Sequence, residues 1–392
     1  MNCSRIMERK YDFKKGCWDY FNPVEVVFGR GCRHKLTDRL LGLSLLIVTT
    51  RRGRRQFTED AALKTILSSN LITWIDNVRE NPGLDDLQII VNSLEGIKLD
   101  AIIAFGGGSA IDAAKIINVA LTSGCLGNDL FQLLDQPALH ANANPLKLYA
   151  VPTTSGTGSE VTPFATLWDY RNKRKMSLAG RAVWPTVAFV DAALADSLPI
   201  ESTLTTGLDA INQAAESIWN KNANPITMAY AQRALRLGFE SLPRLMNGAA
   251  SELDRDKMAE ASLLAGLAIS QTRTALCHSI SYPLTAHFNV PHGLACAFTM
   301  TSVLKCNLQK EDGRFERLAV YLTGRSDLDD LICCFEKLQS DVQISKNFKK
   351  YVSSVEDLFA LESQMLTPGR SDNNLAEVDN VRDILVDSWN AV

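Results

Sequence analysis

The first half of the chain is built from short apolar runs separated by helix-like segments. VEVVFG, LSLLIVTT, LITWI, LDAIIAFGGG, KLYAVPTT and VAFVDA are rich in β-branched residues and are bounded by turn-forming residues, which predicts buried strands. Their alternation with helical patterns predicts a mostly parallel sheet covered by helices. After SLPIES the pattern changes. Ala- and Leu-rich segments with helical spacing run to the end of the chain, and no further run reads as a strand. This predicts an α/β domain over residues 1–197 and an all-helical domain over residues 198–392, with the boundary near residues 195 to 200. TPGRSDNN, at 367 to 374, reads as a polar loop within the helical half.

Composition narrows the function classes. The net charge of -3 comes without a long run of one sign, so nothing favours nucleic acid or a membrane surface, and an anionic ligand must be recognised locally. MNCSRIMERKYDFKKG is too charged for a secretory leader, and no apolar run reaches the roughly 18 residues of a membrane span. A cytoplasmic location is expected. The nine cysteines form no C-x-x-C pair, which suits free thiols in a reducing compartment. Cys277 adjoins His278, but neighbouring side chains on a helix diverge, which argues against its sharing a metal with that histidine.

The helical half holds candidate metal ligands. Asp209 and Gln213, in GLDAINQAAESIW, share one face of a helix at i and i+4. His278 and His292, two of only five histidines, stand near the two ends of HSISYPLTAHFNVPHG. Two imidazoles and a carboxylate are a usual ligand set for Zn²⁺ or Fe²⁺ that leaves a position open for substrate. The bland alternative is a pair of satisfied core or cap histidines.

The α/β half holds two loops suited to phosphate. In LDAIIAFGGGSAIDAAK, Gly106, Gly107 and Gly108 follow a strand and precede a helix, so backbone N–H groups and the positive helix end converge on one point. Ser109 and Asp112 also make an S-x-x-D capping box. In VPTTSGTGSEVT, the hydroxyls of Thr153, Thr154, Thr157 and Ser159 are interleaved with glycines and offer donors to phosphate, ribose or a carboxamide, although an elaborate turn would explain them too. At the end of the second strand, Thr50 stands where dinucleotide folds often place an acid for the ribose 2′-OH, and Arg51 and Arg52 follow. A missing carboxylate beside guanidinium groups suits a 2′-phosphate, so NADPH is expected over NADH, with a solvated basic loop as the alternative.

These segments, in this order, resemble the iron-containing (group III) alcohol dehydrogenases, whose fold is related to dehydroquinate synthase and glycerol dehydrogenase. The resemblance runs from NPVEVVFGRG through GGGSAIDAAK, PTTSGTGSEVT, AFVDAALADSLP and GLDA to PHGLACAF. It implies a nucleotide-binding α/β domain, an all-α domain, a homodimer, Lys175 among the cofactor contacts, and Asp209, His278 and His292 as ligands of Fe²⁺ or Zn²⁺. Two positions depart from the family pattern. Gln213 replaces a histidine and would be a weaker fourth ligand. Tyr282 replaces a histidine linked to proton relay, and a phenol, with its reference pKa near 10, is a slower proton shuttle at neutral pH.

Within the family, WNKNANP and TRTALCHSISYPLTAHFNVPHGLAC are most similar to the phosphonoacetaldehyde reductases of phosphonate natural-product biosynthesis. The similarity implies reduction of phosphonoacetaldehyde to 2-hydroxyethylphosphonate, with Tyr282 as a candidate proton donor and relay through the ribose hydroxyls or water as the alternative. Arg273, set in apolar sequence, is the candidate phosphonate anchor, because a charge there needs either an internal acid or a ligand anion. Asn220, Asn222 and Asn224 either shape the same pocket or form an Asn-rich helix start. The alternatives are a broader reductase of small aldehydes, a non-redox lyase or cyclase on the same fold, and a non-catalytic nucleotide-binding protein.

Overall fold

All six predicted runs form strands in the computed structural model, which describes residues 17–123, 130–141, 143–172, 174–249 and 251–391. The charged stretch weighed above against a leader lies outside the described residues. The strands are β1 (Glu25–Phe28), β2 (Ser44–Val48), β3 (Leu71–Ile75), β4 (Ala101–Gly106), β5 (Lys147–Pro152), β6 (Phe164–Asp169), β7 (Arg174–Ala179) and β8 (Val187–Val190). Six of them make one parallel sheet in the order β1-β8-β5-β4-β2-β3. Both faces are covered, which is why the strands read as continuous apolar runs rather than alternating ones. Leu46, Val48, Ile102 and Ala104 pack on one side with Ile111 and Ala114. Leu45, Ile47, Ile103 and Phe105 pack on the other with Phe57.

The antiparallel pair β6–β7 was not anticipated. β7, RKMSLA, buries only Leu178 fully, so it has no apolar run to announce it. The helices of the first half are α1 (Arg51–Glu59), α2 (Lys64–Ser69), α3 (Leu84–Ser93), α4 (Gly108–Thr122) and α5 (Leu130–Asp135). The second half contributes α6 (Ile200–Ile218), α7 (Pro225–Met246), α8 (Glu252–Thr272), α9 (Leu276–Phe288) and α10 (His292–Phe298), followed by further helices to Asn390. Among the described residues no strand follows Val190.

Two compact units result. One comprises Asn22–Pro199 with Ser251–Gly266, and the other comprises Ile200–Ala250 with Leu267–Val392 and the described residues before Asn22. The first break falls two residues beyond the expected one. The assignment of residues 251–266 differs from the expected division because α8 is one continuous helix with no local signal at Gly266. Its contacts decide the matter: a Cβ on Gly158, which has φ +61°, would stand 2.4 Å from Gly266 Cα.

Candidate metal centre and nucleotide loops

In the α/β unit the two expected loops are packed directly on each other. Gly107 caps α4 without any side-chain hydrogen bond, so the anticipated Ser109–Asp112 capping box does not form. Ser109 Oγ instead accepts from Asn81 N at 3.2 Å. A Cβ on Gly107 would meet Thr154 Oγ1 at 3.2 Å, and one on Gly108 would meet Thr157 Cγ2 at 2.5 Å. The glycines therefore make room for the hydroxyl loop, and Thr153 N donates to Gly106 O at 3.0 Å to hold the pair together. The start of α4 and the hydroxyls of Thr154 and Thr157 form a cradle of a kind suited to a pyrophosphate.

Behind that cradle lies a closed polar network. Asp112 accepts from Ser159 Oγ at 2.5 Å and from Thr166 N at 2.9 Å. Lys115 Nζ donates to Ser159 Oγ at 3.1 Å, Thr162 O at 2.9 Å and Phe164 O at 2.7 Å. Asp112 and Ser159, both expected at the cofactor, are thus engaged within the protein. Burial raises the pKa of Asp112, against Lys115, Ser159 and, more distantly, Lys175 on β7. Burial also pushes Lys115 down to about 8 and Glu160 up to about 7.

At the end of β2, Thr50 caps α1 by accepting from Gly53 N. It lines a cavity of about 640 Å³ together with Arg51, Arg52, Asp76, Asn77 and Arg79. Arg52 reaches Ser197 O at 2.9 Å. Asp76 is paired with Arg54 at 2.6 Å. Arg51 is exposed beside Thr50.

The helical unit brings the expected metal residues together. Asp209, His278, His292 and also Cys296 present ligand atoms that all lie within 4.8 Å of one another. His278 Nε2 is 3.4 Å from Asp209 Oδ1, and the two imidazoles meet edge to face at 5.3 Å. Gln213, one turn beyond Asp209 on α6, is buried, and its Oε1 has no hydrogen-bond partner. A carboxylate, two imidazoles and a thiol converging in a buried site, with an orphaned amide oxygen on the same helix face, fit a divalent cation.

Glu216 orients the cluster. Its carboxylate accepts from His278 Nδ1 at 2.8 Å, His278 N at 3.0 Å and Ala275 N at 2.7 Å, which fixes both the ring and the start of α9. With Nδ1–H held by a carboxylate, Nε2 is left to face Asp209. Burial opposes a charged imidazole here, yet Cys296, Glu216 and Asp209 together hold the His278 pKa well above its usual value. Cys277 lies outside the cluster, and burial keeps it a thiol near Asn212.

Tyr282 stacks on His292 with ring centroids 5.9 Å apart and an interplanar angle of 5°. The guanidinium of Arg370 lies over the other partner of that stack, 4.4 Å from the Tyr282 centroid. Burial lowers the pKa of Arg370 to about 10, opposed by Glu216 and reinforced by Arg273. Arg273 itself corrects an expectation. It stands just past α8 with φ 63° and is exposed, so it does not carry the cost of burial that first marked it. Asn220 and Asn224 are engaged in the local fold. Asn224 caps α7 with Thr227, and Asn220 ties the preceding turn to Arg273 O at 3.2 Å.

Sequence reasoning missed Glu216, Cys296 and Arg370. Glu216 lies on the same face of α6 as Asp209 and Gln213, and Cys296 is one turn beyond His292, so helical spacing held a signal for both. Arg370 held none. It belongs to the stretch read as a polar loop, which in fact holds a short 3-10 turn, Ser371–Asn373, and buries Asn374 against Asn307.

Comparison with known proteins agrees with this architecture. Residues 23–192 match the family model "Iron-containing alcohol dehydrogenase" and residues 203–389 match "Fe-containing alcohol dehydrogenase family, C-terminal". The NADPH-dependent butanol dehydrogenase of Clostridium saccharobutylicum is 30% identical over 84% of this chain and 85% of its own. The phosphonoacetaldehyde reductase of Streptomyces viridochromogenes is 35% identical over 57% of each chain. The sulfoacetaldehyde reductase of Bifidobacterium kashiwanohense, solved with NAD⁺, superposes with a TM-score of 0.83 at 27% identity, covering 95% of this chain and 98% of that one. With both halves matched, the chain belongs to the iron-containing alcohol dehydrogenase family.

Proposed function

We propose that this enzyme is an NADPH-dependent reductase of small anionic aldehydes, with phosphonoacetaldehyde as the substrate and 2-hydroxyethylphosphonate as the product. The observation that carries the reading is the stack of His292, Tyr282 and Arg370. A guanidinium held against the face of a ring that itself stacks on a candidate metal ligand suits an anionic group of a substrate. The two relatives named for phosphonoacetaldehyde and sulfoacetaldehyde reduction support the same class of substrate.

Asp209, His278 and His292 would hold the metal, with Gln213 as the fourth ligand anticipated from sequence. When bound, Fe²⁺ or Zn²⁺ supplies Lewis acidity toward the aldehyde oxygen, and the nicotinamide supplies hydride. Arg370 and Arg273 bind and orient the phosphonate. Glu216 keeps His278 in the tautomer that turns Nε2 inward. Tyr282 offers its phenolic proton to the nascent alkoxide. In the α/β unit, Gly106 to Gly108 with Thr153, Thr154 and Thr157 would hold the pyrophosphate, and Arg51 beside Thr50 would hold the 2′-phosphate. Asp76, in the same cavity, favours NADH as the second reading, but its pairing with Arg54 leaves it less able to take a ribose hydroxyl. A cytoplasmic homodimer acting in phosphonate biosynthesis completes the proposal. Among the described residues no helix is long and apolar enough to cross a membrane.

The test is nicotinamide oxidation by protein loaded with Fe²⁺ or Zn²⁺, comparing phosphonoacetaldehyde with an uncharged aldehyde of similar size. Arg370→Ala is expected to lower kcat/KM for the anionic aldehyde by roughly tens to thousands of fold, the range for truncating one partner of a desolvated charge pair, and to alter the uncharged one little. Equal losses on both would leave a general small-aldehyde reductase. No net nicotinamide oxidation with either would favour lyase chemistry.

A further inference from the structure

We propose that Cys296 Sγ is a protein ligand of the bound metal, so that the donor set is Asp209, His278, His292 and Cys296 in place of the oxygen ligand Gln213. This rests on the metal reading above and concerns which atoms make it. His292 and Cys296 are separated by one turn of α10, and Sγ stands 3.9 Å from both Nδ1 and Nε2 of the imidazole. All four donors lie within 4.8 Å of one another. Ligands around a tetrahedral Zn²⁺ at bond lengths of about 2.0–2.3 Å stand roughly 3.3–3.8 Å apart, so small side-chain shifts would close the set.

The backbone is shaped for this convergence. A Cβ on Gly293 would fall 1.8 Å from Thr205 O and 2.9 Å from Asp209 N. Only glycine lets α10 approach α6 so closely, and that approach brings His292, just before it, and Cys296, three residues after it, toward Asp209. A buried cysteine is often just a small apolar filler. Cys277, equally buried and beside His278, is of that kind: it is absent from the donor cluster. Cys296 instead faces a carboxylate and two imidazoles.

As the sulfur–metal bond forms, the thiol proton leaves to solvent and the donor set carries two negative charges, one from Asp209 and one from the thiolate. Such a site neutralises a divalent ion, and its soft donor favours Zn²⁺ and Co²⁺ over Fe²⁺ relative to an amide oxygen.

The test uses the metal-free full-length protein titrated with Co²⁺. Wild type is expected to show both visible d–d bands and a near-ultraviolet thiolate-to-cobalt charge-transfer band. That band should persist in Gln213→Leu and vanish in Cys296→Ser. Zn²⁺ affinity, from competition with a chelator, should fall about tenfold or more in Cys296→Ser and less in Gln213→Leu. Visible bands without the charge-transfer band in wild type would overturn the inference while leaving the metal site intact, and that result needs no variant to fold. Failure of wild type to take up Co²⁺ at all would sink the metal reading and the inference together.

Discussion

Two buried polar clusters, one in each unit, use similar residue types toward opposite ends. Around Lys115 the protein supplies its own cation: the ammonium is surrounded by Ser159, Thr162 O and Phe164 O, with Asp112 and Glu160 as its electrostatic partners. Donors and acceptors are matched, and the result holds the hydroxyl loop behind the glycines. Around His278 the ligand atoms of four side chains point at one another, and the nearby Gln213 Oε1 lacks a hydrogen-bond partner. Burial and charge alone therefore do not mark a functional site. What separates the two is whether the cluster is closed on itself or converges on a point.

The largest effect that would sharpen this contrast is expected from Lys115→Met. It leaves the buried carboxyl of Glu160, the half-buried carboxyl of Asp112 and two backbone carbonyls without their cation, and removing one partner of a buried charged group costs about 3–5 kcal/mol. Urea denaturation should show that loss to the same extent with and without added metal. A loss that changed with metal would mean the two clusters are not independent.

The asymmetry also explains what the sequence made legible. The parallel sheet was readable because both faces are buried, which turns each strand into an apolar run such as LLIV. Hairpin β6–β7 was not, because RKMSLA buries only Leu178 fully and so shows no apolar run. Asp209, His278 and His292 were expected together from residue type and the family resemblance, and the fold brings them together. Asp112 and Ser159 were misleading for the same reason: polar residues beside a glycine loop look alike whether they face a ligand or one another. Arg370 was invisible, since its position over Tyr282 depends on a loop returning from nearly ninety residues away in sequence, and Arg273 drew attention through a burial it does not have.

A smaller effect comes from Glu160. Burial raises its pKa from 4.5 to about 7, with Lys115 opposing. The folded state therefore binds more protons than the unfolded state between those values. The stabilising contribution is complete below about pH 4.5 and is lost as pH rises through 7. Glu160→Gln has no such titration. Its stability relative to wild type should rise by about 3 kcal/mol between pH 4.5 and 8 in paired denaturation curves. Lys115, depressed to about 8, adds the opposite slope only above that pH. Parallel curves for the two proteins would show that Glu160 is ionised in the fold and that the network is not sealed.

The smallest effect, and the most discriminating, is expected from Glu216→Gln. Glu216 resembles Asp112 in that its carboxylate accepts from backbone N–H, yet it also holds His278 Nδ1 at 2.8 Å. If it acts only as a cap for α9, the amide loses one acceptor and the protein loses stability, with the metal bound as before. If it tunes the imidazole, removing its charge lowers the basicity of Nε2, and metal affinity should fall roughly 10- to 100-fold, the usual cost of losing a carboxylate behind a histidine ligand. Chelator competition with Zn²⁺ reads the affinity, and melting of the metal-free protein reads the cap separately. The expected outcome is a fall in both, with the added thermal stabilisation that Zn²⁺ gives wild type reduced in the variant at equal metal concentration. A lower melting temperature with unchanged Zn²⁺ affinity would place Glu216 with Asp112 among the self-closed groups and erase the distinction between the two clusters at that residue.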